Sequence, residues 1–77
     1  MDACTGRVLA AVDELGLREE TIIVFLGDHG YQMGEHNSWG HKHSNYETST
    51  RAPLLVSAPG QTVRGAGTDA LVGVLDL

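Results

Sequence analysis

Two residues that could bind a metal ion follow an apolar segment of the chain. Asp28 and His29 come directly after residues 21–26, which read TIIVFL, and glycines 27 and 30 flank them. A carboxylate is a hard oxygen donor for Ca²⁺ or Mg²⁺, and a neutral imidazole is a common ligand for transition metals. An isolated Asp-His pair is more often an ordinary turn. Its position after an apparent buried strand favours a metal site, because ligands gather at the carboxyl ends of strands in open α/β sheets.

A single lysine lies downstream in a polar segment. Lys42 stands beside His43, and no other lysine occurs in the chain. If this segment folds back over the strand end, the ammonium group could hold an anionic oxygen of a leaving group or of a transferred sulfuryl or phosphoryl group. His43 could then contact substrate or transfer protons, and Tyr31, next to the Asp-His-Gly turn, could face the substrate. The simpler interpretation is a solvated loop lysine.

A histidine cluster offers a second metal hypothesis. The four histidines lie at positions 29, 36, 41 and 43, and Glu35 is close by in sequence. No pair has the helical spacing of a His-Glu-x-x-His motif and the segment has no cysteine, so a self-contained structural zinc site is the weaker prediction. Solvent exposure is the simpler interpretation for His36 and His41. The single cysteine, Cys4, lies in a predicted helix and is interpreted as structural.

The spacing of apolar residues predicts the elements that position these groups. A helix is expected over roughly the first fifteen residues, because Val8, Leu9, Val12 and Leu15 share one face, and Gly16 would end it. Residues 21–26 predict a strand that is buried on both faces. Residues 27–47 form a long polar loop, residues 53–57 a second strand and residues 70–75 a third apolar segment.

Composition limits the classes of function. The chain has 77 residues, with 42% hydrophobic and 19% charged residues and a formal net charge of -5. These values are typical of a small globular domain and argue against a disordered acidic tail or a nucleic-acid-binding surface. The longest apolar run is too short to span a bilayer, and the first residues lack the order of a signal peptide.

The order of motifs in residues 21–60 resembles a known enzyme family. An apolar strand is followed by Gly-Asp-His-Gly-Tyr, Gly-Glu-His, Trp-Gly, a lysine, Ser-Asn-Tyr-Glu, Thr-Arg-Ala-Pro-Leu and Pro-Gly. This order is similar to the C-terminal part of the catalytic core in sulfatases of the alkaline phosphatase superfamily, especially the iduronate-2-sulfatase and choline-sulfatase-like branch. The resemblance implies an α/β fold with helices packed on a mostly parallel sheet. Residues 1–77 would then be a partial sulfatase catalytic domain, truncated at both ends.

The resemblance also implies roles for individual residues. Asp28 and His29 match family metal ligands, normally for calcium. Lys42 matches the lysine that contacts the sulfate ester, and His41 is its rival because it stands between Gly40 and Lys42, where relatives usually run from glycine to lysine. The Cys-x-Pro/Ala-x-Arg motif that yields formylglycine, the family's nucleophile, is absent, as is an aspartate pair that completes the metal site. Both are expected in an N-terminal part, so the isolated piece should be inactive.

The resulting expectation is a sulfuric ester hydrolase fragment. Its substrate would be a sulfate-ester small molecule or a sulfated glycan, and its partner the remainder of the sulfatase chain. A phosphodiesterase or phosphonate hydrolase of the same superfamily, using Zn²⁺ or Mn²⁺, is the alternative, because imidazole is an unusual ligand for calcium. A non-catalytic remnant is a third interpretation. The resemblance implies a periplasmic, secreted or lysosomal location.

Overall fold

Helix α1 spans Asp2–Glu14 in the computed structural model, which describes residues 1–40, 42–61 and 63–77. The helix predicted over the first fifteen residues is confirmed. It ends as its sequence predicts, with Gly16 in a left-handed conformation at φ 68°. The Gly16 amide donates to the carbonyl of Asp13 and the Leu17 amide to that of Val12, which satisfies carbonyls that the helix leaves without a partner.

A short polar turn connects this helix to the first strand. The turn is a 3₁₀ helix, Arg18–Glu20, and the guanidinium of Arg18 donates to both carboxylate oxygens of Asp13 at 2.7 and 2.8 Å. This ion pair lowers the pKa of Asp13. The Thr21 hydroxyl donates to the Leu17 carbonyl at 2.7 Å and closes the turn on itself, while Arg18 ties the turn to α1.

The two strands of the described residues form one antiparallel pair. Strand β1 spans Ile23–Leu26 and strand β2 spans Leu54–Ser57, with Leu26 opposite Leu54 at one end of the register. Both strands were predicted from sequence. A single antiparallel pair neither establishes nor excludes the expected mostly parallel sheet, since many such sheets carry an antiparallel strand at one edge.

The expected burial of β1 on both faces is not found within the described residues. Val24 is 40% exposed, Phe25 43% and Leu55 63%. The apolar sequence predicts burial only if a second layer covers the strands, and α1 buries none of its residues. Ala58 is the buried hydrophobic residue of the described chain, and Gln32 and Ser49 are its buried polar residues.

The third apolar segment, residues 70–75, is irregular before a 3₁₀ turn at Val74–Asp76. The Gly73 amide donates to the Asp76 carboxylate at 2.6 Å and closes this turn. Across the described ranges, no helix has the length and apolar character needed to cross a membrane.

Candidate functional site

The Asp-His-Gly turn begins where the strand ladder ends. The Gly27 amide donates to the Pro53 carbonyl at 2.9 Å, one step beyond the last paired residues of β1 and β2. A Cβ atom at Gly27 would lie 3.1 Å from the Cδ of Pro53 and 3.3 Å from the Cβ of Ala52. The glycine therefore lets the chain pass close to β2 before it turns, and Asp28 follows at the exit.

Both predicted metal ligands keep an atom available for binding. The side chain of Asp28 is 82% exposed. His29 is half-buried, and its Nδ1 lies 3.2 Å from the Gly30 carbonyl oxygen. If Nδ1 carries the proton and donates to that carbonyl, Nε2 has a free lone pair, which is the form of imidazole that binds metals.

Gly30 packs tightly on a short helix, α2, which spans Glu47–Thr50. The Gly30 amide donates to the Ser49 carbonyl. A Cβ atom at Gly30 would lie 2.9 Å from the Cα of Ser49 and closer still to the carbonyl oxygen of Thr48. Such distances exclude any side chain at this position unless the backbone moves. Glycine is therefore required by this close approach of turn and helix.

A closed excursion of the chain separates the turn from the lysine. The Gly40 amide donates to the Gln32 carbonyl at 3.0 Å, and Met33 and Trp39 form an isolated antiparallel bridge. At the tip, the carboxylate of Glu35 accepts the Met33 amide at 2.7 Å, and this hydrogen bond lowers the pKa of Glu35. Because residues 32–40 close on themselves, the chain returns at Gly40 to Gln32, three positions after His29.

The return places Lys42 on the first predicted metal ligand. Nζ of Lys42 lies 2.8 Å from Oδ2 of Asp28, although 14 residues separate them in sequence. The ammonium group lowers the pKa of the Asp28 carboxyl, by hydrogen bonding first and by charge attraction second. The carboxylate is therefore held ionised, and it already attracts a cation in the fold.

The other predicted substrate residues have different positions. Tyr31 is 55% exposed, and its hydroxyl would lie 3.0 Å from a Cβ atom at Gly40, so it packs beside the point where the chain returns. His43 is exposed and forms no hydrogen bond or ion pair with the described residues. His41, the rival to Lys42, lies outside the residues that the structure describes.

The histidine-rich loop does not form a zinc site in the described part of the chain. Groups of three or more His, Cys, Asp or Glu side chains that could hold a metal are absent there. The ring of His36 stacks on Tyr46 with centroids 3.8 Å apart and planes 11° from parallel. Glu35 is occupied by backbone hydrogen bonding. Both groups have local structural roles.

Asp28 and His29 fit one part of a divalent cation site. They supply an ionised, accessible carboxylate and an imidazole that can present Nε2, from adjacent positions on one tight turn. A calcium ion takes about six to eight ligands, mostly oxygen, so this pair would be completed by other groups. Lys42 occupies Oδ2 of this carboxylate and would have to leave it when a cation binds.

Sequence reasoning missed Ser49 and Gln32. Ser49 is fully buried and its hydroxyl lies 2.6 Å from that of Ser44. Gln32 is 1% exposed, and its Nε2 has no hydrogen-bond partner in the described structure. Neither residue lies in a segment with periodic apolar spacing, so their burial is visible only in three dimensions.

Comparison with known proteins places the chain in a family. The sulfatase family profile matches residues 1–77. Iduronate 2-sulfatase of Mus musculus is 47% identical over 62 residues, which cover 80% of this chain and 11% of that protein. Arylsulfatase of Clostridium perfringens is 39% identical over 77 residues, 100% of this chain and 16% of that protein. The multifunctional alkaline phosphatase superfamily protein PehA of Trinickia caryophylli is 45% identical over 67 residues, 87% of this chain and 13% of that protein.

The chain belongs to the sulfatase family, and this membership implies an alkaline-phosphatase-like α/β fold. The chain spans about 11% to 16% of the length of these relatives. No solved structure matches the chain.

Proposed function

We propose that residues 1–77 are part of a sulfuric ester hydrolase in which Asp28 and His29 bind a divalent cation and Lys42 binds the sulfate group. The observation that carries the proposal is the 2.8 Å contact between Nζ of Lys42 and Oδ2 of Asp28. This contact places the ammonium group of Lys42, which would bind an anionic sulfate oxygen, beside the turn that carries Asp28 and His29. The family match over the whole chain supports the reaction class.

The proposed roles of Asp28, His29 and Lys42 follow from the charge and donor type of each side chain. A divalent cation bound at Asp28 and His29 would neutralise anionic oxygens of the ester and orient the nucleophile. Lys42 is a compact point charge on a flexible stem, and its side chain is 47% exposed. It can therefore leave Asp28 when the cation binds and donate to a sulfate oxygen while charge develops on the leaving group.

Calcium is the proposed cation. The ionised and accessible carboxylate of Asp28 is the kind of oxygen donor that calcium prefers. The remaining oxygen ligands and the formylglycine nucleophile would come from other parts of a longer polypeptide. Tyr31 and His43 would contact the ester together with Lys42, with His41 as a further candidate for substrate contact.

A larger catalytic domain is part of the proposal. The chain covers only a small share of each relative, and its strands expose apolar side chains such as Phe25, Leu55 and Val56. Exposed apolar surface of this kind is typical of a face that packs against further protein. We propose that the remainder of the sulfatase domain covers these strands and adds the rest of a mostly parallel sheet.

A phosphodiesterase or phosphonate hydrolase activity is the second candidate. The observation that favours it is the available Nε2 of His29, since nitrogen ligands suit Zn²⁺ or Mn²⁺ better than calcium. The similarity to a protein named as a multifunctional member of the alkaline phosphatase superfamily gives further support. Lys42 would then stabilise charge on a phosphoryl group.

The experiment that separates these candidates compares two ester classes. The full-length protein that contains residues 1–77, called the full-length protein below, is reconstituted in turn with Ca²⁺, Mn²⁺ and Zn²⁺. Each form is assayed with 4-nitrophenyl sulfate and with bis(4-nitrophenyl) phosphate. We expect release of sulfate with the calcium form. Hydrolysis of the phosphodiester alone, with the zinc or manganese form, would replace the first candidate by the second.

A further inference from the structure

Among residues 1–40, 42–61 and 63–77, Ser49 is the most deeply buried, and few others are buried. It is 0% exposed, although the other residues of α2 (Glu47–Thr50) are exposed. Buried polar side chains in folded proteins are hydrogen-bonded, and their positions are usually specific. The position of this serine therefore calls for a reason beyond the formation of one helical turn.

The side chain of Ser49 holds the segment that carries the lysine. Its Oγ lies 2.6 Å from the Oγ of Ser44, which is half-buried and stands two positions after Lys42. Either hydroxyl can donate to the other. A short, partly buried hydrogen bond of this kind restricts the backbone on both sides of it, so the path of residues 42–44 depends on it.

The backbone of Ser49 holds the turn that carries the metal ligands. Its carbonyl accepts the amide of Gly30, the residue that follows His29, and Gly30 is in close contact with the same turn of helix. The helix is itself fixed, since the Ser49 amide donates to the Tyr46 carbonyl at 2.8 Å. One residue therefore contacts both Gly30, which follows His29, and Ser44, which stands two positions after Lys42.

The turn and the lysine segment are also linked directly, by an ion pair between two side chains. The ion pair between Lys42 and Asp28 is exposed on both sides, and exposed pairs contribute little because water and salt screen them. A divalent cation bound to Asp28 would compete with the ammonium group for the same carboxylate. When the cation is bound, the hydrogen bonds of Ser49 still join the turn to the lysine segment, together with the bond from the Gly40 amide to the Gln32 carbonyl.

We propose that Ser49 is a positioning residue that couples cation binding at Asp28 and His29 to anion binding at Lys42. This inference rests on the proposed function. It assigns to a buried serine, which touches neither cation nor ester, control of the distance between the two binding groups. Removal of its hydroxyl removes the tie between Ser44 and α2, while the backbone bond from the Gly30 amide to the Ser49 carbonyl remains.

The test measures this coupling in the full-length protein. Calorimetric titration gives the dissociation constant of inorganic sulfate with and without Ca²⁺, and the ratio of the two constants is the coupling factor. We expect a factor of about fivefold or more in the wild type, in the range typical of coupled sites. Ser49→Ala should lower it to near one while Ca²⁺ alone binds within about threefold of wild type.

Two further variants separate positioning from stability. Ser44→Ala removes the same hydrogen bond from the less buried partner and should also lower the coupling factor to near one. It keeps the proposal testable if Ser49→Ala does not fold. The double variant Ser44→Ala/Ser49→Ala leaves no unpaired hydroxyl, so it should regain thermal stability but not the coupling. Ser57→Ala, at an exposed position of β2, is the control and should retain the wild-type factor.

The outcomes distinguish this inference from the proposed function. If the wild type shows coupling and Ser44→Ala and Ser49→Ala keep it, the positioning role is wrong and the proposed function stands. If the double variant regains both stability and coupling, Ser49 acts through stability alone and the inference is likewise overturned. If the wild type binds neither Ca²⁺ nor sulfate, the proposed function fails and this inference fails with it.

Discussion

Lys42 and Asp28 form an ion pair at 2.8 Å across 14 residues of sequence. The excursion of residues 32–40 closes on itself and so returns the chain to Gln32, six positions after the end of β1. Asp28 is in addition one of the two metal ligands that the order of sequence motifs predicts. The contact thus places a sulfate-binding candidate and a cation-binding candidate at the same strand end.

Replacement of Asp28 should weaken cation binding. Asp28→Asn keeps the shape of the side chain but removes the negative charge, and ligand charge is a principal determinant of calcium affinity. We expect the calcium dissociation constant of the full-length protein to rise by at least about tenfold, measured by calorimetry. Asp69→Asn is the matched control, because Asp69 is fully exposed and forms only a 3.7 Å contact with Arg51. Equal affinities of the two variants would show that Asp28 is not a ligand.

Replacement of Gly30 should destabilise the turn. A methyl group at Gly30 would overlap the backbone of Thr48 and Ser49, and overpacking of this type costs about 1–3 kcal/mol. Gly30→Ala should therefore lower the free energy of unfolding by that amount in denaturant titration of the full-length protein. Gly67→Ala is the control, since a Cβ atom there meets nothing within 4 Å. Coinciding unfolding curves for the two variants would show that the turn at Gly30 and helix α2 are not in close contact.

The Glu35 carboxylate should make the excursion resistant to mild acid. Its pKa lies below the ordinary value because the ionised form accepts the Met33 amide. A lowered pKa in the folded state means a stabilising contribution that is complete above the ordinary value for glutamate. The contribution is lost as the pH falls through the lowered value.

Hydrogen exchange measured by mass spectrometry tests this pH dependence. After correction for intrinsic rates, peptides within residues 32–40 should be fully protected above the usual titration range of glutamate and should lose that protection progressively as the pH falls below it. In Glu35→Gln, the same peptides should exchange faster near neutral pH, and their protection should not change over the titration range of glutamate. Glu14→Gln, at an exposed position of α1, should behave as wild type. Protection that is independent of Glu35 at all pH values would contradict the assignment.

Much of the local structure follows from the sequence. The face formed by Leu9 and Val12 and the glycine at position 16 predict α1 and its end, because helical periodicity and left-handed backbone have direct signatures in residue type. The β-branched run predicts β1 in the same way. These signals are local, so they survive without knowledge of the rest of the fold.

The tertiary relationships could not be predicted in this way. The burial expected for β1 depends on a second layer, and the described residues provide none. The closure of residues 32–40 has no alternating pattern, since it is held by Gly40, Glu35 and a single bridge between Met33 and Trp39. The linking role proposed for Ser49 arises from contacts between distant segments, which residue type alone does not reveal.

The most direct test of the proposed site is the turnover of Lys42→Ala. Loss of the ammonium group removes stabilisation of the developing charge, and loss of one such donor typically costs about 100-fold or more in rate. The pair with Asp28 is exposed, so the melting temperature should change little. Arg64→Ala, which removes another exposed positive charge, should retain wild-type turnover. The account predicts that kcat/KM of the full-length protein for 4-nitrophenyl sulfate falls by at least about 100-fold in Lys42→Ala alone, and hydrolysis at the wild-type rate would contradict it.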